Sequence, residues 1–208
     1  GIIAFLDPPK PDAKEAIRGL YDAGVHVKVI SGDAPVVVEH VCKLVGMKVG
    51  DQSAVTGSDL ENMSDAELSS VVEKNDIFAR LSPMQKKRVV DALRNNGHVV
   101  GYMGDGVNDA PSLHDADVGI SVDNGTDVAK ASADIILLEK SLTVILNGIY
   151  EGRRIYGNIL KYMKMALSSN FGNVFSVLIA SIFLPFLPML PLQILIQNLI
   201  YDFTQIAI

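Results

Sequence analysis

Cysteine is almost missing from this chain of 208 residues: Cys42 is the single copy. One thiol excludes an intramolecular disulfide and any metal cluster built from several cysteines. Charge is scarce as well, but only at one end. Residues 165–208 carry one charged side chain, Asp202. Residues 141–208 hold four basic residues (Arg153, Arg154, Lys161, Lys164) and two acidic ones (Glu151, Asp202). The formal net charge of −6 therefore leaves residues 1–140 strongly acidic. An acidic domain speaks against nucleic acid as a partner. No secretory signal pattern opens the chain, and a strand-like start without an initiator Met reads as a piece of a longer polypeptide.

What is present is apolar: 49% of the residues, with a mean hydropathy of +0.28. The length predicts one or two domains. Through residue 140 short β-branched runs alternate with amphipathic helical stretches. The strand candidates are residues 2–6, 25–30, 77–81, 99–103, 118–122 and 135–138. Helices are expected at residues 12–21, 36–45, after Ser64 and after Ser82. Ser64 with Glu67, and Ser82 with Gln85, have capping-box spacing, and Pro83 takes the first helical position. The polar stretch 48–62 reads as a connecting loop. Such alternation predicts an α/β fold with a mainly parallel sheet covered on both faces.

The densest chemistry follows the strand at 99–103, in Gly104-Asp105-Gly106-Val107-Asn108-Asp109-Ala110-Pro111. Two glycines let the backbone turn sharply and approach a ligand. Two carboxylates, Asp105 and Asp109, stand at the carboxyl end of a strand, where open α/β sheets bind ligands. Held together, they call for a hard cation such as Mg²⁺, which takes oxygen ligands and keeps its waters. Singly, Asn108 is explained as a helix cap and Asp109 as a complement to the helix dipole; the set as a whole is not. An earlier strand-to-helix turn, Ser31-Gly32-Asp33, is a phosphate cradle in one reading, and in the other Asp33 is only the cap before Pro35. Lys86 sits in the first turn of a helix, against the dipole, which suggests a phosphate or carboxylate partner; with Lys87 and Arg88 following, a solvated surface lysine is the simpler local reading.

From about Ser141 one long helical pattern begins, weakened by Gly148, Gly152 and Gly157. Residues 165–184 and 189–208 are each long enough to span a bilayer, which takes roughly 20 apolar residues. The basic residues before the first span place the α/β part in the cytosol. Asn170 and Asn173 share one face of the first span. Asp202 lies in the second, beside Asn198 and Gln205, and an intramembrane carboxylate marks an ion path by default. The competing role for the amides is to hold the helices together. The domain reading is thus 1–140 cytosolic, 141–164 a helical stalk, and 165–208 a transmembrane hairpin.

These motifs, in this order, resemble the P-type ATPases, a branch of the haloacid-dehalogenase-like group. The matching residues are Asp7-Pro8-Pro9, Ser31-Gly32-Asp33, Phe78-Ala79-Arg80 through Pro83 and Lys86, and the run from Gly104 to Pro111. The resemblance covers the C-terminal half of the family's phosphorylation (P) domain and the two membrane helices after it. It implies a Rossmann-type parallel sheet and ATP hydrolysis through an aspartyl-phosphate coupled to ion transport. It implies that Asp105 and Asp109 bind the catalytic Mg²⁺, with Asn108 organising the site. It also implies that Ser31 holds phosphate oxygens, that Lys86 neutralises the transferring phosphoryl group, and that Asp7, Gly32 and Asp33 lie near the ATP. The stretch from Lys161 onward resembles the bacterial magnesium-transporting subfamily, thought to import Mg²⁺ across the plasma membrane. Asn170, Asn173 and Asp202 are then the transport-site candidates. Two other readings compete: a pump of the same family for Ca²⁺ or a monovalent cation, and a membrane-anchored phosphatase or inactive regulatory relic.

The family's Asp-Lys-Thr-Gly-Thr motif, which supplies the nucleophile on the central strand, is absent from the sequence. The 208-residue chain alone is therefore expected not to incorporate phosphate from γ-labelled ATP; label on the isolated chain would refute this.

Overall fold

The computed structural model describes residues 9–47, 54–139, 141–186 and 188–205. The strand expected at 2–6, and Asp7, lie outside these residues. The chain divides into two compact units, residues 1–147 and 148–208.

The first unit alternates helix and strand. In order its helices are α1 (Ala13–Asp22), α2 (Pro35–Leu44), α3 (Gly57–Glu61), α4 (Asp65–Lys74), α5 (Pro83–Asn95), α6 (Ala110–Asp115) and α7 (Asp127–Ala131). The strands are β1 (Val29–Ile30), β2 (Val55–Thr56), β3 (Ile77–Ala79), β4 (Gly101–Met103), β5 (Val118–Val122) and β6 (Ile135–Leu137). They form two three-stranded sheets ordered β1-β3-β2 and β4-β5-β6. Every pairing is parallel, for example Ile30 opposite Phe78 and Met103 opposite Ile120.

β3 shows why helices cover both faces. Successive side chains on a strand point to opposite sides. Ile77 and Ala79 join Ala13, Ile17, Val38 and Cys42 from α1 and α2. Phe78 joins Leu68, Val72, Val89 and Leu93 from α4 and α5. Around β4 a third cluster gathers Val90, Tyr102, Leu113 and Ala129. Helix α5 therefore contributes to the clusters under both sheets. Burial pushes the Cys42 thiol above its ordinary range, so it behaves as a small apolar residue.

Local chemistry sets the helix ends largely as the sequence predicts. Ser64 accepts from Glu67 N, and Glu67 Oε2 accepts from Ser64 N at 2.8 Å. Ser82 and Gln85 make the same reciprocal pair at the head of α5. After α1 and α2, Gly24 and Gly46 take φ of 73° and 81°, a region that favours glycine.

Four expectations need correction. The stretch 48–62 is not loop throughout: β2 and α3 occupy its described part. Val55 and Thr56 become a strand only because β3 offers its edge, and a Thr56–Asp59 capping box starts α3. The N-cap before Pro35 is Ala34, not Asp33. Asn108 does not cap α6; it lies in a short 3-10 turn, Val107–Asp109, and Asp109 is the N-cap. β1, β3, β4 and β6 are also shorter than the apolar runs that announce them, with Val25, Val27 and Val99 outside the paired register, whereas β5 fills its expected span.

The second unit is helical. α8 runs from Thr143 to Phe183, 41 residues, and continues through Gly148, Gly152 and Gly157. Among the described residues it is the one helix long and apolar enough to cross a membrane. α9 (Pro191–Gln205) has 15 described residues.

Phe78 is fully buried where α4 and α5 meet β3. Phe78→Ala is expected to cost about 3–5 kcal/mol, read from urea unfolding of the solubilised chain. Val36→Ala, at a side chain 78% exposed, is expected to change stability by less than about 0.5 kcal/mol.

Candidate functional site

The site is built at the carboxyl ends of β1, β3 and β4. Strand β4 alternates exposed, buried, exposed, so Tyr102 points into the core while Gly101 and Met103 do not. The chain then turns through Gly104-Asp105-Gly106. Gly104 must lack a side chain, because a Cβ there would collide with the Asp109 side chain. Asp109 folds back over this turn, its Oδ2 accepting from Gly106 N at 3.3 Å. The loop is anchored further on by Thr126 N, which donates to Asp105 O at 2.8 Å.

Lys86 comes from the first turns of α5. Its Nζ lies 2.8 Å from Asp109 Oδ1, and the two side chains are only 12% and 14% exposed. The lysine that opposes its own helix dipole thus has a carboxylate partner. The Tyr102 hydroxyl donates to the same Oδ1 at 2.9 Å. Burial works to raise the Asp109 carboxyl, but the bonds from Lys86 and Tyr102 outweigh it and hold it below its usual range. Burial first, and then the Asp109 charge, push the Tyr102 hydroxyl far above its ordinary range, so it stays protonated and donates. Ser112, fully buried, neighbours that phenol without making a well-formed hydrogen bond.

The Ser31 loop is fastened to the end of β3. Ser31 N donates to Phe78 O (2.9 Å), Leu81 N to Ser31 O (3.1 Å) and Arg80 N to Asp33 O (2.9 Å). Arg80 pays in strain: its φ of 54° is unusual for a long side chain, and Gly57 leaves room for its carbonyl. The Ser31 hydroxyl donates to Asp33 Oδ2 at 3.0 Å and accepts from Asp33 N at 3.1 Å. It is therefore held in a local turn rather than joined to Lys86 or Asp109.

Of the residues singled out by sequence, the structure joins Lys86 and Asp109 directly. Asp105 and Asn108 are exposed on the same loop. Asp105 lines an open cleft of about 310 Å³ with Lys10, Met103, Gly104, Val122 and Asn124. Ser31, half-buried, and the exposed Gly32 and Asp33 form a turn of their own, and Asp7 is outside the described residues. In the second unit Gln197 Nε2 donates to Asn173 Oδ1 at 3.0 Å, and Asn173 Nδ2 to Asn198 Oδ1 at 3.4 Å. The Tyr201 hydroxyl donates to Met165 O at 2.9 Å. Asn170 and Asp202 are exposed and make none of these bonds.

Sequence reasoning missed two residues. Tyr102 was hidden because a tyrosine inside a strand reads as core; its place between two exposed positions was the available signal. Gln197 was passed over beside Asn198, although its i,i+4 spacing to Tyr201 puts both on one helix face.

A model of the family "haloacid dehalogenase-like hydrolase" matches residues 1–117. The chain is 58% identical to the magnesium-transporting ATPase, P-type 1, of Salmonella typhimurium over 208 residues, which is all of this chain and 23% of that protein. It is 38% identical to a calcium-transporting ATPase of Bacillus subtilis over 97% of this chain and 23% of that one. The chain thus spans under a quarter of the length of these relatives. Among solved structures, a zinc-transporting PIB-type ATPase in an E2.Pi state superposes with a TM-score of 0.64 at 26% identity, covering 85% of this chain and 24% of that one.

Removing Lys86 alone strands a largely buried carboxylate. Lys86→Met is expected to cost about 3 kcal/mol, and Lys86→Met with Asp109→Asn to recover more than about half of it, measured by denaturant unfolding. Because the folded carboxyl titrates below the unfolded one, the pair's contribution is complete above about pH 4 and is lost as pH falls through the depressed value. Stability against pH, compared with Asp109→Asn, reads this directly.

Proposed function

The chain belongs to the haloacid dehalogenase-like hydrolase family and matches P-type ATPases along its whole length, and from that premise we propose that it is the segment of a magnesium-transporting P-type ATPase that joins the phosphoryl-transfer site to the ion path. The whole protein would hydrolyse ATP through an aspartyl-phosphate and move Mg²⁺ across the bacterial cell membrane, inward in this reading. The observation that carries the proposal is the convergence of Lys86 and Asp109, 23 residues apart, at the carboxyl end of β4.

The donor set suits Mg²⁺. Asp105 offers a free, exposed carboxylate, and Asp109 keeps Oδ2 turned toward the same loop while Oδ1 is taken by Lys86 and Tyr102. Among the described residues no group of three or more His, Cys, Asp or Glu gathers as a metal cage. Asp105 and Asp109 by themselves suit an ion held by one or two carboxylates together with waters and phosphate oxygens. When bound, Mg²⁺ supplies charge neutralisation at the phosphoryl oxygens.

The protein's own residues do the rest. Lys86 presents a positive charge beside Asp109. Asn108, exposed at the head of α6, offers an amide to the same region. Ser31, Gly32 and Asp33 present a turn whose backbone and hydroxyl suit phosphate and nucleotide; the family resemblance assigns Asp7 to the nucleotide too. Phosphoryl transfer depends on such positioning and charge neutralisation more than on covalent chemistry by the protein. The attacking carboxylate would come from the family's Asp-Lys-Thr-Gly-Thr motif, which these 208 residues do not contain. In the second unit Asn170, Asn173 and Asp202 are the transport candidates, and the long apolar faces of α8 and α9, with Phe171, Leu178 and Phe203 at least half exposed, suit a lipid bilayer. A site of amides with a single carboxylate suits an ion that keeps part of its water, as Mg²⁺ does.

In the full-length protein, Asp105→Asn is expected to lower phosphoenzyme formation at least about 100-fold and to abolish Mg²⁺ uptake. Stimulation of ATPase activity by Ca²⁺, with none by Mg²⁺ beyond the ATP requirement, would overturn the assigned cargo while leaving the pump intact. Absence of an Asp-Lys-Thr-Gly-Thr motif upstream in the gene would overturn the pump itself.

A further inference from the structure

Two residues donate to one oxygen of Asp109. Lys86 Nζ lies 2.8 Å from Oδ1 and the Tyr102 hydroxyl 2.9 Å from it. One arrives from α5 and the other from β4, and these two elements share a buried cluster through Val90 and Tyr102. Rotation of an aspartate carboxylate about its terminal bond is broad and weakly restrained. A single donor on Oδ1 leaves that pivot open, whereas a second from another element closes it.

Lysine alone is a loose clamp, being a compact charge on a flexible stem with three rotatable donors. The Tyr102 hydroxyl ends a rigid ring that is 7% exposed and packed against Val90, Leu113 and Ala129. Phenylalanine would fill the same space, so packing accounts for the ring and leaves the hydroxyl unexplained. The second carboxylate oxygen meets Gly106 N at 3.3 Å, a long bond by the usual range. Gly104 lies against the Asp109 side chain from a further side.

The geometry points to Tyr102 as a positioning residue for the phosphoryl-transfer site: its hydroxyl fixes the plane of the Asp109 carboxylate, keeping Oδ1 on Lys86 and Oδ2 toward the Asp105 loop. This rests on the reading of Asp109 as part of that site. Tyr102 acts through Asp109 and touches no reacting group itself.

The test is Tyr102→Phe, which keeps the ring, with two readouts. In the detergent-solubilised full chain, the Gly106 amide resonance reports on the bond to Asp109 Oδ2. It is expected to move in the variant, while amides in the other clusters, such as those of Cys42 and Val72, stay in place. In the full-length protein, kcat for ATP hydrolysis is expected to fall about tenfold with the KM for ATP within about twofold. An unmoved Gly106 amide, or an unchanged kcat, overturns the proposal. So does a parallel change in kcat and KM that follows the unfolded fraction, which is what a purely structural tyrosine would give. If the unaltered full-length protein shows no ATPase activity, the pump reading fails, and the amide shift still decides whether Tyr102 positions Asp109.

Discussion

The ion pair between Lys86 and Asp109 is the contact on which the first unit turns. A cation in the first turns of a helix is disfavoured by the dipole, and a carboxylate taken out of water is disfavoured by desolvation. Each group answers the other's difficulty. Their meeting needs α5 to lie in one place. That place is set by its two buried sides: Val89, Ala92 and Leu93 on the cluster around β3, and Val90 on the cluster around β4. The pair thus sits where the helix shared by both sheets meets the loop that follows β4.

Around this contact the backbone is shaped by exclusion. Gly104 leaves no room for a side chain against Asp109, and Gly119 none against the Leu113 carbonyl, so the loop and α6 lie close on β4 and β5. Across the other sheet, three backbone bonds join the Ser31 turn to Phe78–Leu81, and Arg80 accepts a left-handed conformation to make them. Strain of this kind persists only where the surroundings over-determine it. Here the bonds of Ser31, Asp33 and Leu81 supply that determination.

The second unit works with a different economy of polar groups. In an apolar helix pair, an amide finds its partner in another amide or a backbone carbonyl. Asn173, Gln197 and Asn198 do so, as does Tyr201 with Met165. Asn173 therefore has a part in joining α8 to α9 besides any part in binding an ion. Asp202 and Asn170 stay outside that network, which leaves their oxygens free for a ligand.

Local chemistry made much of the molecule legible in advance. Ser64 with Glu67, Ser82 with Gln85, and the glycines at 24 and 46 mark helix ends through neighbours no more than a few residues away, so the sequence carries them in full. The alternation of strands and helices gave the parallel α/β class, and the Gly104–Pro111 spacing marked the acidic loop, because both depend on short-range order. The lysine's discord with its dipole hinted at a partner, but Lys87 and Arg88 beside it fitted a solvated surface as well, and only the fold brought Asp109 to it. What only the tertiary structure decided involves residues from different elements: that β3 recruits Val55 and Thr56 into a strand, that the backbone of the Ser31 turn binds the end of β3, and that Tyr102 and Lys86 reach one oxygen of Asp109. A strand of two residues has no periodicity to read, and a tyrosine's hydroxyl has no role until a second element brings it an acceptor.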